Sequence, residues 1–195
     1  MIRQVFNSAE LISLLDDNGR LQEPVTLVDG GIYTGLQALT SLENLTFAKD
    51  CRLYNLSSIP ILKDLTLADD GLLHDLSAVT AIENVMVAKG CALWNLSAVT
   101  EIKSVTMSND SRLWGLSSLL ILKDLVLAEH CCIDGLSSVT AIENVTLADG
   151  CGLWGLYSVT SIDRVTLADG CGLWGLSAPM KKRLADLRAA NTKEA

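Results

Sequence analysis

The amino-acid sequence predicts a repeat solenoid, and three observations predict it. Lined up from Val25, the chain repeats every twenty residues, with successive starts at Val25, Leu45, Leu65, Val85, Val105, Leu125, Val145 and Val165 and no insertion or deletion. Its apolar residues fall in fixed columns of that repeat. Gly, Asn and Asp recur at two further fixed columns. A constant period in this range marks stacked supersecondary units, none of which can bury its apolar face alone.

The unit reads approximately V-T-L-A-D-G-C-x-L-W-G-L-S-A-V-T-x-I-E-N, with apolar columns at positions 1, 3, 7, 9, 12, 15 and 18. The spacing of positions 1 and 3 is the alternation of a short β-strand, Val and Leu inward and Thr outward. The later spacing of three, from 9 to 18, suits a tight, turn-like or 3₁₀ return path, because three residues per turn place every third side chain on one side. One short parallel strand per coil is the expectation, with strands of neighbouring coils about 4.8 Å apart. Position 12 is Leu in every copy, from Leu36 to Leu176. The residue before it is Gly35, Asn55, Asp75, Asn95, Gly115, Gly135, Gly155 and Gly175. Those residue types best tolerate positive φ, which places a left-handed turn residue there. Position 6, mostly Gly or Asp with His130 as the exception, predicts a second corner of the same kind.

The stretch Ile142-x-x-Val145-x-Leu147, followed by Cys151-x-Leu153-x-x-Leu156-x-x-Val159, resembles the pattern of leucine-rich repeats. The resemblance covers residues 25–178 and implies a solenoid. It departs in placing the Cys column one residue late and in a shorter unit, so a straighter parallel β-helix stands beside it as the alternative.

The ends differ from the repeats, as open solenoid ends require. Residues 1–24 read as an N-terminal helical cap, with Asn7 or Ser8 as N-cap of a helix over residues 9–17 and Leu11, Leu14 and Leu15 as its apolar stripe. Residues 25–178 hold the eight repeats. Residues 179–195 read as a C-terminal helical cap and tail: Ser177 precedes Pro179, a favoured first-turn residue, and Met180, Leu184 and Leu187 line one face. The final residues, from Asn191, are expected to fray.

Composition narrows the function classes. A net charge of −8 argues against direct nucleic-acid binding through phosphate neutralisation, which needs clustered Lys and Arg. No run of eighteen apolar residues is present, so no membrane span is expected. The N-terminus lacks a signal-peptide pattern, which makes the cytoplasm the expected compartment. No cofactor motif, phosphate-binding loop or catalytic constellation is found, and His74 and His130 fall in different columns three coils apart. The expectation is therefore a protein that is not an enzyme.

Four sets of residues remain. Position 7 holds Gly31, Cys51, Gly71, Cys91, Ser111, Cys131, Cys151 and Cys171, a file that reads as small buried filler rather than as a metal site, which needs tetrahedral convergence. Cys132, one residue outside that file, is the thiol expected to be exposed. Position 10 gathers Tyr54, His74, Trp94, Trp114, Trp154 and Trp174, with Asp134 interrupting. An aromatic stack binding consecutive coils and an interface anchor are both consistent with it. Positions 5 and 6 carry acids, among them Asp69, Asp70, Asp110, Glu129, Asp149 and Asp169, with Lys49 and Lys89 in the same stripe. At about one acid per 4.8 Å coil this stripe is sparser than duplex DNA, with about one charge per 1.7 Å. Position 19 alternates Glu83 and Lys103 with similar residues on neighbouring coils, which predicts cross-strand pairs that fix register.

The expected function is a non-catalytic module that binds a protein partner through a solenoid face. An acidic inhibitor or partial DNA mimic acting on a nucleic-acid enzyme is the alternative. A structural homodimer, joined by a solenoid face or a cap, is a third.

Overall fold

The chain folds as a parallel β-solenoid of about eight turns. The computed structural model describes residues 3–43, 45–63 and 65–191. Strands of successive coils pair in parallel with a register shift of twenty: Val105 lies opposite Leu125, and Val145 opposite Val165. In the later coils this main-sheet strand runs from position 17 of one repeat to position 3 of the next, as in Glu101–Met107, Ile121–Leu127, Ala141–Leu147 and Ser161–Leu167. Its inward alternation skips once, because positions 19 and 20 both face outward. One coil earlier the same place separates Ala81–Glu83 from Val85–Val87, with Asn84 between them at φ 47°. The pleat turns there, and the coil gains a corner.

Each coil also places two residues in a second parallel sheet of eight strands, from Ile32–Tyr33 to Gly172–Leu173. This sheet goes beyond the single strand per coil that the sequence suggested. Its signal was present: columns 7 and 9 alternate inward just as columns 1 and 3 do. The return path is turn-like. The N–H at position 15 donates to the carbonyl at position 12, as from Val79 to Leu76 at 3.0 Å and from Val139 to Leu136 at 3.2 Å, and no 3₁₀ helix forms among the described residues.

Both corner columns adopt positive φ in every copy, from Gly30 and Gly35 to Gly170 and Gly175. The two columns differ in the space around them. A Cβ at Gly135 would lie 2.8 Å from the Leu116 backbone nitrogen, whereas nothing lies within 4 Å of one at Gly30. Position 11 is crowded by the preceding coil's backbone at Gly115, Gly135, Gly155 and Gly175, although earlier coils hold Asn55, Asp75 and Asn95 there. At position 6 a Cβ would meet side chains, of Asp70 at Gly90 and of His130 at Gly150, or nothing at Gly30.

The core is one continuous file of aliphatics. Column 12 is fully buried from Leu36 to Leu156, and columns 9, 15 and 18 follow the same pattern. Burying one Leu or Val stabilises by about 1.5–3 kcal/mol, so a repeat with seven inward columns gains most of its stability from its neighbours.

The N-terminal cap is sealed. Strand Arg3–Val5 pairs in parallel with Val25–Leu27, so the cap adds a further strand to the sheet before the first repeat. Helix α1 spans Ser8–Ile12, with Asn7 as its N-cap accepting from the Glu10 N–H at 2.9 Å. It is shorter than the expected 9–17. Asp16 Oδ1 accepts from the N–H groups of Asn18 and Arg20, both at 2.9 Å, and Gly19 takes φ 74°, so the chain folds back instead of continuing the helix. Tyr33 fills the space under this cap. Its hydroxyl donates to the Val5 carbonyl at 2.6 Å and accepts from the Val28 N–H at 3.3 Å, and burial raises its pKa. Gly31 in column 7 leaves room for that ring, since a Cβ there would lie 2.5 Å from it. At the other end helix α2, Ala178–Asn191, packs on Ser161–Leu167, with Met180, Leu184 and Leu187 against the core. Residues 192–195 of the expected tail lie outside the described residues. No described helix is long and apolar enough to cross a membrane.

Candidate interaction faces

Positions 8 and 10 point away from the core on the second sheet, because positions 7 and 9 point into it. The position-10 side chains of neighbouring coils are therefore held side by side on the outer face. The ring centroids of Tyr54 and His74 are 5.7 Å apart, those of His74 and Trp94 6.2 Å, and those of Trp94 and Trp114 4.0 Å in an edge-to-face pair. Trp154 and Trp174 stack at 4.4 Å with planes only 3° apart. The sequence-predicted residues thus form two files, four rings and two, divided at Asp134. Asp134 is exposed, and its Oδ1 accepts from the Gly135 N–H at 2.6 Å.

Position 8 decides how each indole lies. Gly152 and Gly172 sit beneath Trp154 and Trp174, and a Cβ at either position would run into the indoles. In the fifth coil Arg112 occupies position 8 instead, its guanidinium carbon 5.5 Å from the Trp114 centroid. The sequence reading passed over these position-8 residues. The local signal was the pair of Gly-Leu-Trp triplets, Gly152–Trp154 and Gly172–Trp174.

The acidic stripe is only partly free. Lys49 pairs with Asp70 at 3.9 Å and Lys89 with Asp110 at 3.8 Å, each Lys reaching one coil forward. Asp69 accepts from the Lys89 backbone N–H at 3.3 Å, and Glu129 accepts from Asn109 Nδ2 at 3.4 Å. Among the described residues Glu129, Asp149 and Asp169 form a run in successive coils with no ion pair. On the main sheet Lys103 and Glu83 form the expected cross-strand pair at 2.5 Å, and that hydrogen bond raises the Lys103 pKa.

No family model, no curated protein and no solved structure matches the chain. The chemistry of its faces has to be read from the residues alone.

The Cys and Ser residues of the position-7 column share one geometry. Cys51, Cys91, Cys131, Cys151 and Cys171 donate from Sγ to the position-4 carbonyl of the preceding coil, at 2.8 to 3.0 Å. Ser111 does the same from Oγ to Ala88 at 2.8 Å. Small size is common to the whole column, Gly31 and Gly71 included, and the Cys and Ser residues add one donor each, which supports the packing reading. Burial pushes the thiols of Cys91 and Cys131 up to about 11, so at neutral pH they are protonated and poor nucleophiles. Cys132 is half-buried and more open than Cys131 beside it, but Cys171 in the last coil is half-buried too.

Proposed function

We propose that the chain is a non-catalytic protein-binding module whose partner docks on the outer face of the second sheet. One observation carries this reading: all four indoles of the chain, with Tyr54 and His74, line one solvent-facing side of one sheet. Trp94 is 38% and Trp174 44% exposed, so stacking leaves contact area on rings that it holds rigid. Rigid aromatic anchors bind at low entropic cost, and Trp is enriched where binding energy concentrates. The leucine-rich-repeat-like spacing enters only as a resemblance of pattern, since such folds serve many unrelated partners. Six unpaired cysteines suit a reducing compartment such as the cytoplasm.

The test is capture of a partner from the native host, followed by reconstitution with that partner purified. Trp94→Ala combined with Trp114→Ala should abolish binding while circular dichroism stays unchanged. Undiminished binding by the folded double variant refutes the reading.

A second reading, an acidic inhibitor of a nucleic-acid enzyme, is favoured by the run Glu129, Asp149 and Asp169. It is narrowed by the pairing of Asp70 and Asp110 with lysines. It predicts salt-sensitive binding to a basic protein, lost when Asp149 and Asp169 become Asn. Binding unaffected by those changes removes it.

A further inference from the structure

The aromatic ladder on the outer face of the second sheet has one break. The register of that sheet sets Trp114, Asp134 and Trp154 side by side in three successive coils, because Leu113 lies opposite Ile133 and Ile133 opposite Leu153. Trp94 packs on Trp114 from one side of the break, and Trp174 on Trp154 from the other. The sides of Trp114 and Trp154 that no other ring covers therefore both look onto the coil of Asp134. Position 8 of that coil is the small, half-buried Cys132.

A missing rung is a space of definite size. At about 4.8 Å a coil, the strands that carry Trp114 and Trp154 are about 9.6 Å apart. Flat groups in contact stack at about 3.5–4.0 Å, so one planar group fits between these rungs and two do not. The space is also acidic. Asp134 is exposed, its Oδ1 accepts from the Gly135 N–H at 2.6 Å, and among the described residues it has no ion pair. Arg112 lies one coil away with its guanidinium carbon 5.5 Å from the Trp114 centroid, and it makes no ion pair with Asp134. An indole beside the break thus already receives a guanidinium, while the carboxylate in the break keeps its charge for a group from outside.

We propose that this break is a socket for an arginine side chain of the partner protein. The inference rests on the ladder reading above and names the partner's chemistry at one point of that face. A guanidinium is planar and cationic; its face stacks on indoles and its edge donates to a carboxylate. It takes the place of the missing ring between Trp114 and Trp154, and its N–H groups reach Asp134. Lysine suits the site less, because an ammonium is a compact, strongly hydrated point charge. The net charge of −8 attracts a cationic partner before contact.

Titration of the full chain with tri-arginine at low ionic strength, followed by Trp fluorescence, tests this. Tri-arginine should bind the parent, and tri-lysine, of equal charge, should bind more weakly. Asp134→Asn should weaken tri-arginine binding by about tenfold, the loss of one charge-assisted contact. Asp134→Trp, which fills the break, should weaken it further. Asp163→Asn removes the same charge from an exposed position of the main sheet and should leave binding unchanged. Circular dichroism checks that each variant is folded. No binding by the parent, equal affinity for tri-lysine, or a folded Asp134→Trp that binds no more weakly than Asp134→Asn would each overturn the proposal. An equal loss in Asp163→Asn would overturn it too. The peptide needs no host partner, so a chain that captures that partner yet ignores tri-arginine loses this inference and keeps the ladder reading.

Discussion

The thiol of Cys151 donates a 2.8 Å hydrogen bond to the carbonyl oxygen of Ala128, one coil back. The same bond recurs down column 7, and in the fifth coil a serine makes it. A repeated thiol file is thus explained without metal or disulfide chemistry. Each sulfur fills a small space between coils and donates to a backbone carbonyl of the coil before it.

Replacing this donor should separate volume from hydrogen bonding. Cys151→Ser keeps a donor for Ala128 and is expected to stay within about 1 kcal/mol of the parent. Cys151→Ala leaves the carbonyl unpaired and a small void, and should cost about 1–3 kcal/mol. Urea unfolding midpoints measure both, and a serine variant no more stable than the alanine variant would refute the assignment.

The same burial sets an alkaline limit. The thiols of Cys91 and Cys131 are raised from an ordinary 9.0 to about 11, by desolvation first. A raised thiol pKa means that the unfolded chain loses its proton first. The stabilisation is fully present below pH 9.0 and is lost as pH rises toward about 11. Thermal unfolding from pH 8 to 11 should show this decline, and Cys91→Ser with Cys131→Ser should flatten it.

Gly152 should be intolerant of even one methyl group. Its backbone is ordinary, but a Cβ there would meet the Trp154 and Trp174 rings. Gly152→Ala should displace the stacked pair, shift Trp fluorescence and cost about 1–3 kcal/mol, as overpacking does. Conversely, Asp134→Trp would supply the missing rung between Trp114 and Trp154. Each new ring pair is worth about 0.5–1.5 kcal/mol, so the variant should be more stable than the parent by denaturant titration.

The two left-handed corners should respond differently to side chains. Gly135→Ala combines φ 88° with a Cβ 2.8 Å from the Leu116 nitrogen, and should lose more than the roughly 1–2 kcal/mol of the backbone term alone. Gly30→Asn meets nothing within 4 Å and should be nearly neutral, as Asp50 one coil on already suggests. Equal losses at the two sites would show that crowding by the preceding coil plays no part.

Much of the candidate interface was legible because it is periodic. Trp94, Trp114, Trp154 and Trp174 share a column, and a fixed register of twenty residues brings a column into line. Asp134 breaks the ladder where its residue type said it would. Less legible was anything that depends on a neighbour's volume. Gly31 reads as another small residue of column 7, yet its role is to admit Tyr33, whose hydroxyl reaches Val5 in the cap. The pairing of Lys49 with Asp70 and of Lys89 with Asp110 depends on side-chain reach across one coil. Position in the stripe alone does not reveal it.

By itself the sequence determined the period, the inward columns, the two left-handed corners and the need for caps. These follow from alternation and from which residues tolerate positive φ, and both are local properties. Only the tertiary structure decided that positions 8 and 9 build a second sheet, that Arg3–Val5 adds a strand in the cap, and that the last coil stays half-buried. Those outcomes depend on how much space one coil leaves for another, and that space is set by side chains twenty or more residues apart.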